Sequence, residues 1–180
     1  GDAEPLYRRA LEAGERTQGR EHPQTLGSVF SLANLYYLQR RYPQSQTLFQ
    51  RALEAQERIL GREHPDTLVT VHFLANLDSS QGRHTEAERL YRRALEAFER
   101  TLGPEHPHTL MTLNSLGLMN QSQGRFPESE QLYRRALASV QKIHGDEHPQ
   151  VADVLDGLAH HYYASEHYGE AITQSEHAQT

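Results

Sequence analysis

Leu60-Gly61-Arg62-Glu63-His64-Pro65-Asp66-Thr67-Leu68 returns 42 residues later as Leu102-Gly103-Pro104-Glu105-His106-Pro107-His108-Thr109-Leu110. Its central Glu-His-Pro also stands at Glu21 and Glu147, so four copies follow one another at the same spacing. A fixed period of this length is the signature of a repeat array, each unit being one supersecondary element. It divides the chain into 1–20, a partial repeat holding a single helix; 21–62, 63–104 and 105–146, three full repeats; and 147–180, a C-terminal partial or capping repeat. No stretch is left over for a linker or a second domain.

Within a unit, Leu26, Val29, Leu32, Ala33 and Tyr36 fall at helical spacing, and so do their counterparts Leu68, Val71, Leu74, Ala75 and Leu110, Leu113, Leu116, Gly117. A second apolar set follows a Gln-Gly-Arg turn, or its variant Gln39-Arg40-Arg41: Leu48, Phe49, Ala52, Leu53 in the first full unit, with equivalents in the next two. The spacing predicts helix A over about 24–39 and an antiparallel helix B over about 44–60, repeated with the period. Gly19, Gly61, Gly103 and Gly145 stand where helix B must end, since glycine accepts the left-handed conformation that closes a helix. The proline after each His suits the first turn of the next helix, where its missing N–H is no loss.

One such hairpin cannot bury its own apolar face, so neighbouring units must stack. The expected fold is all-α, a right-handed α-solenoid of helix hairpins with one concave and one convex surface. The ends carry expectations of their own. Ala3, Leu6, Tyr7, Ala10 and Leu11 form a helix B without its helix A, as if cut from a longer array. Gln174, Ser175 and Gln179 replace apolar residues of earlier units, as a terminal capping helix requires.

Composition narrows the function classes. The chain has no cysteine and no tryptophan, which excludes disulfides, thiolate metal sites and a cysteine nucleophile, and suits a reducing, cytoplasmic setting. A formal charge of −6 and the lack of a membrane-spanning apolar run argue against nucleic acid and membrane as partners. Twelve histidines are the only hint of an enzyme. No phosphate loop, no His-Glu-x-x-His and no nucleophile with a base and an orienting group accompany them, so no catalytic residue, metal or cofactor is assigned.

Leu32-Ala33-Asn34-Leu35-Tyr36 and Ala87-Glu88-Arg89-Leu90-Tyr91-Arg92-Arg93-Ala94-Leu95 resemble the tetratricopeptide repeat, and the stretches Leu60 to Leu68 and Leu102 to Leu110 resemble its 42-residue kinesin-light-chain-like type. The resemblance implies a non-enzymatic protein-interaction arm that takes an extended peptide or short helix in its concave groove, as part of a scaffold or adaptor. Repeats of this class also occur behind the NTPase module of sensor proteins, so a regulatory arm is the alternative. Kinesin-light-chain-like repeats usually carry Asn-Asn before Leu-Ala on helix A. Here Ser31, Phe73, Ser115 and Gly157 precede the leucine, and only Asn114 matches one of those amides.

Columns identical in every unit are expected to serve stacking, and varying columns are free to serve a ligand. The varying columns on helix A, the side that tetratricopeptide repeats present to the groove, begin with Gly27, Val69, Met111 and Asp153. The next are Phe30, His72, Asn114, Asp156; then Asn34, Asn76, Leu118, His160; then Tyr37, Ser79, Gln121, Tyr163. With Phe73 they define the candidate peptide groove. They hold no Lys or Arg, so the expected ligand places an apolar side chain opposite Val69, Phe73 and Met111 and a basic one opposite Asp153 and Asp156. Asp153, Asp156 and His160 share one helical face. They suit a cation, a partner's Lys or Arg, or plain solvation, and three ligands from one helix do not complete a metal site.

The recurring structural columns have duller expectations. His22, His64, His106 and His148 could be proposed as a metal ladder, but their uniform recurrence favours loop hydrogen bonds. Arg16, Arg58, Arg100 and Lys142 should sit in the last turn of helix B, where a cation favours the helix dipole, with an acidic peptide held at the groove edge as the alternative. Arg8-Arg9, Arg92-Arg93 and Arg134-Arg135 should lie on an outer face with nearby glutamates. Asp78 and Asn120 replace a tyrosine of the Tyr36 and Tyr162 column, and because an unpaired buried carboxylate is costly, either open helix ends or a polar pocket is expected there, open ends first. Self-association through the bare Leu6, Tyr7 and Leu11 is the alternative to peptide binding.

Overall fold

The structure, a computed structural model, describes residues 3–145, 151 and 154–166. They form seven helices, α1 (Ala3–Thr17), α2 (Pro23–Leu38), α3 (Tyr42–Ile59), α4 (Pro65–Ser80), α5 (His84–Thr101), α6 (Pro107–Ser122) and α7 (Phe126–His144), and an eighth helical segment, 154–166, labelled α8. No strand occurs among the described residues. Helices A start at Pro23, Pro65 and Pro107 and helices B at Tyr42, His84 and Phe126, so the sequence period is also the structural one. Gln174, Ser175 and Gln179, and with them the capping expectation, lie outside the described residues, as does His148.

The conserved spacing of the quoted motif has a local cause. His22, His64 and His106 are N-caps with extended backbone, and their Nδ1 atoms accept from the amides of Gln24, Asp66 and His108 at 3.3, 3.2 and 3.2 Å. Each satisfies an amide that the first helical turn would otherwise leave unpaired. The imidazoles therefore make the loop hydrogen bonds expected of them. The turn between helices A and B needs a left-handed residue: Gly82 and Gly124 supply it with φ of 74° and 71°, and Arg40 adopts φ 59° in the same place.

Two compact units divide the chain, Gly1–Ala97 and Phe98–Thr180, with α5 running through the boundary. In the first, α2 packs on α1, α3 and α4. Its centre is Ala33, Phe49, Leu74 and Leu77, flanked by half-buried Phe30, Tyr42 and Phe73. Burying Phe49, Leu74 or Leu77 is worth about 1.5–3 kcal/mol each. The rings of Phe30, Phe49 and Phe73 meet at 5.0 to 5.8 Å. Ser45 Oγ donates to the Ala33 carbonyl at 2.9 Å, tying α3 to α2.

In the second unit α6 packs on α7, and Leu113, Leu116, Met119, Tyr133, Ala136 and Val140 are buried. Gly117 permits the close approach: a Cβ there would lie 3.1 Å from Cζ of Tyr133. Ser129 Oγ donates to the Gly117 carbonyl at 2.9 Å, repeating the Ser45 bond two repeats later.

Arg51 and its counterparts Arg93 and Arg135, the latter two from the arginine pairs, form ion pairs from helix B to helix B. Glu15 meets Arg51 at 2.6 Å and Glu57 meets Arg93 at 2.6 Å in the first unit, and Glu99 pairs with Arg135 in the second. Arg16, Arg58 and Arg100 occupy the last turns of α1, α3 and α5 as expected. Tyr36 is buried, and its hydroxyl accepts from Arg8 at 2.9 Å and donates to Glu4 at 3.1 Å. Tyr162 makes the same pair of bonds with Arg134 and Glu130, at 3.2 and 2.7 Å.

At Asp78 and Asn120 the expectation of open helix ends is corrected, and the alternative of covered polar side chains holds. Asn120 is buried, and the Asp78 carboxylate is mostly covered and paired with Arg83 from the following turn. The charge is admitted because its counter-ion comes with it.

Candidate interaction surface

Two hollows lie on the helix A side, one in each unit. The first, about 270 Å³, is lined by Pro23, Gly27 and Phe30 of α2, Gln56 of α3 and Asp66 and Val69 of α4. Gly27 opens it: it is an interior helical residue, and a Cβ added there would meet nothing within 4 Å. A helical glycine costs about 1 kcal/mol relative to alanine, and no neighbouring atom accounts for it. Phe30 and Val69 give the hollow apolar lining, and Gln56, whose Oε1 accepts from Thr70 at 2.7 Å, adds a polar one. A space this size is below the 300–1,000 Å³ usual for small-molecule sites and matches a protruding side chain.

The second hollow, about 350 Å³, is lined by Asp156, Ala159, His160 and Tyr163 of α8. Tyr163 is 63% exposed. His160 Nδ1 lies 2.9 Å from the Asp156 carbonyl and 3.6 Å from its carboxylate, a helix-internal pairing that orients the imidazole. Asp66 and Asp156 are the acidic residues among the described lining groups, and no described Lys or Arg lines either hollow.

The remaining expected groove residues divide by exposure. Leu118 is 49% exposed, Asn114 is exposed, and Met111 and Gln121 are half-buried. Asn34 and Tyr37 are half-buried too, with Tyr37 Oη sharing a hydrogen bond with Ser80 Oγ at 3.0 Å. Asp153 lies outside the described residues. His72 and Asn76 turn inward: His72 is 1% exposed, its ring 5.6 Å from Phe73 and 5.5 Å from Tyr91, and Asn76 bonds His72 Nε2 and the Tyr91 hydroxyl. Phe73 belongs to the aromatic core of its unit. His72 and Asn76 are thus core partners in their own repeat, whereas Asn114, Leu118, Asp156 and His160 in the same columns are exposed.

Sequence reasoning missed Gln56 and Asp66. Both stand in varying columns, Gly14, Gln56, Phe98, Val140 and Gln24, Asp66, His108, Gln150, so the comparison that selected helix A would have found them on helix B and in the first helical turn. Among the described residues no group of three His, Cys, Asp or Glu side chains is placed to hold a metal ion. No described helix is long and apolar enough to cross a membrane.

Helix hairpins at a 42-residue period, capped by His and closed by left-handed glycine, are matched by the tetratricopeptide repeat family over residues 26–99, 69–139 and 112–180. The chain belongs to the tetratricopeptide repeat family. Among solved structures, this tetratricopeptide repeat chain is similar to two forms of a Podosopora anserina protein described as a candidate kinesin light chain with nearly identical TPR-like repeats. One, carrying a single substitution, is 26% identical with a TM-score of 0.77, covering 99% of this chain and 84% of that one. The other is 27% identical with a TM-score of 0.76, covering 97% and 83%. BtubC (BKLC) from P. vanneervenii shares the fold at 24% identity and a TM-score of 0.76, covering 98% of this chain and 70% of that one. No curated protein sequence matches the chain. The fold is thus the kinesin-light-chain-like α-solenoid, and tetratricopeptide repeats generally serve as protein-interaction modules.

Proposed function

We propose that this chain is a non-enzymatic interaction module that captures an extended peptide or short helix on the helix A side of its repeats, as an arm of a larger cytoplasmic scaffold or adaptor. The observation that carries the reading is Gly27. A helix-weakening residue with no packing reason opens a hollow walled by Phe30 and Val69. That hollow receives an apolar side chain of the partner. Asp156 in the second unit, with Asp153 preceding it in sequence, receives a basic one; Met111 and Leu118 add apolar support. Calorimetry with a peptide selected against the chain tests this. Gly27→Leu, which fills the hollow while strengthening α2, and Asp156→Arg should each weaken binding several-fold, and unchanged affinity in both removes the placement.

Self-association is the second reading, supported by Leu6, which is 62% exposed on α1 beside exposed Tyr7. Light scattering decides it: a monomer over the working concentration range leaves the peptide reading alone.

A further inference from the structure

His161 occupies the column that holds Leu35, Leu77 and Met119 in the preceding repeats. It is 1% exposed, and its ring lies 5.8 Å from Phe126, 6.0 Å from Tyr133 and 5.4 Å from Tyr162. Among the described residues its Nδ1 is buried with no hydrogen-bond partner, and so is the Tyr133 hydroxyl beside it. Such a box holds a neutral imidazole and resists an imidazolium, which would be a buried cation among rings.

The surrounding charges do not reverse that balance. From α7, Glu130 favours the protonated form, but its carboxylate is already engaged by Tyr162 at 2.7 Å and Arg134 at 2.8 Å. Burial pushes the Tyr133 phenol up to about 12, so it stays neutral and supplies no counter-charge. On α8 itself, Tyr162 is bound to Arg134 and Glu130, and the neighbouring His160 is turned to Asp156. Burial therefore sets the direction, and His161 titrates below its ordinary value of 6.5.

We propose that His161 is an acid-operated latch between α7 and α8: its neutral imidazole closes their packing near neutral pH, and its protonation loosens α8. Because α8 carries Asp156, His160 and Tyr163, the latch governs the second hollow, and its regulatory meaning rests on the partner-binding reading of that surface. The sign follows from proton linkage. A loosened α8 lets His161 take a proton at its ordinary value, whereas the packed form takes it only at lower pH. Acid therefore favours the loosened form between the two values, and the latch is intact above about pH 6.5.

Hydrogen exchange on the full chain without any partner tests the latch independently of peptide binding. From about pH 7.5 to about pH 5.5, after correction for intrinsic exchange, amide protection over 154–166 should fall several-fold, while α2 and α3 keep theirs. His161→Met, which restores the residue of the Met119 position, should hold protection constant. Direct proton NMR titration of the imidazole in the unaltered chain should place His161 below its ordinary value. A His161 that titrates at or above that value, pH-independent protection, or a His161→Met chain that loosens as the parent does would each overturn the latch. The peptide reading stands or falls separately, on binding at neutral pH.

Discussion

The Tyr36 hydroxyl donates to the Glu4 carboxylate at 3.1 Å, joining α2 to α1 across 32 residues of sequence, and Tyr162 repeats the bond to Glu130 at 2.7 Å in the other unit. Arg41 adds a guanidinium over the Tyr36 ring at 4.1 Å and a bond to Glu4 at 2.8 Å. Each unit thus has a helix-to-helix clasp that depends on an ionised glutamate.

The clasps predict an acid response. At Glu4, desolvation raises the carboxyl, but the Tyr36 hydrogen bond and the Arg41 and Arg8 guanidiniums outweigh it and hold it below its ordinary value of 4.5. At Glu130 the Tyr162 hydrogen bond is the leading cause of the same lowering, followed by desolvation, which opposes it, and Arg134, which reinforces it. Carboxylates lowered in the folded state stabilise it above their ordinary value, and that contribution is lost as pH falls through the folded value. Denaturant midpoints should therefore drop below about pH 4.5, and Tyr36→Phe with Tyr162→Phe should flatten the drop. An unaltered acid limb in the double variant would remove the clasps as its source.

Arg40 holds the left-handed turn conformation that Gly82 and Gly124 hold in later repeats. An L side chain there costs about 1–2 kcal/mol, part of which glycine returns through its freer unfolded chain. Arg40→Gly should raise stability by about 0.5–1 kcal/mol, read as a higher urea midpoint at constant slope. Gly82→Ala should lower it by a similar amount.

Tyr91 and Tyr133 share a column but not a partner. The Tyr91 hydroxyl donates to Asn76 Oδ1, whereas position 118 offers Leu, and the Tyr133 hydroxyl is buried with no hydrogen-bond partner among the described residues. Tyr133→Phe should leave stability unchanged or raise it by up to about 1 kcal/mol, and Tyr91→Phe should lower it by about 1 kcal/mol. Thermal denaturation separates the two, and equal losses would show that Tyr133 has a partner.

The helices were readable because their signals are local and repeated. Period, proline at the helix start and glycine at its end place α2 within one residue, and α3 within two, of the expected bounds. The His caps followed from recurrence. The clasps were not readable, because Tyr36 finds Glu4 and Arg8 only once two helices are packed. His72 was misplaced onto the surface for the same reason: a varying polar residue on helix A looks like a ligand contact until Phe73 and Tyr91 are seen to enclose it. Gly27, by contrast, showed in the sequence as a departure from Val69 and Met111, and only the fold revealed it as a space.

Resonance mapping of a bound peptide bears most directly on the central claim that partners bind the helix A side. Peptides selected from a random display library are titrated into the isotope-labelled chain, and shifts are mapped by residue. The account predicts saturable shifts at Gly27, Phe30 and Val69 and at Asp156, His160 and Tyr163, with Glu57 and Arg93 of the ion-pair ladder unmoved. Shifts confined to the ladder face, with the two hollows silent, would contradict it.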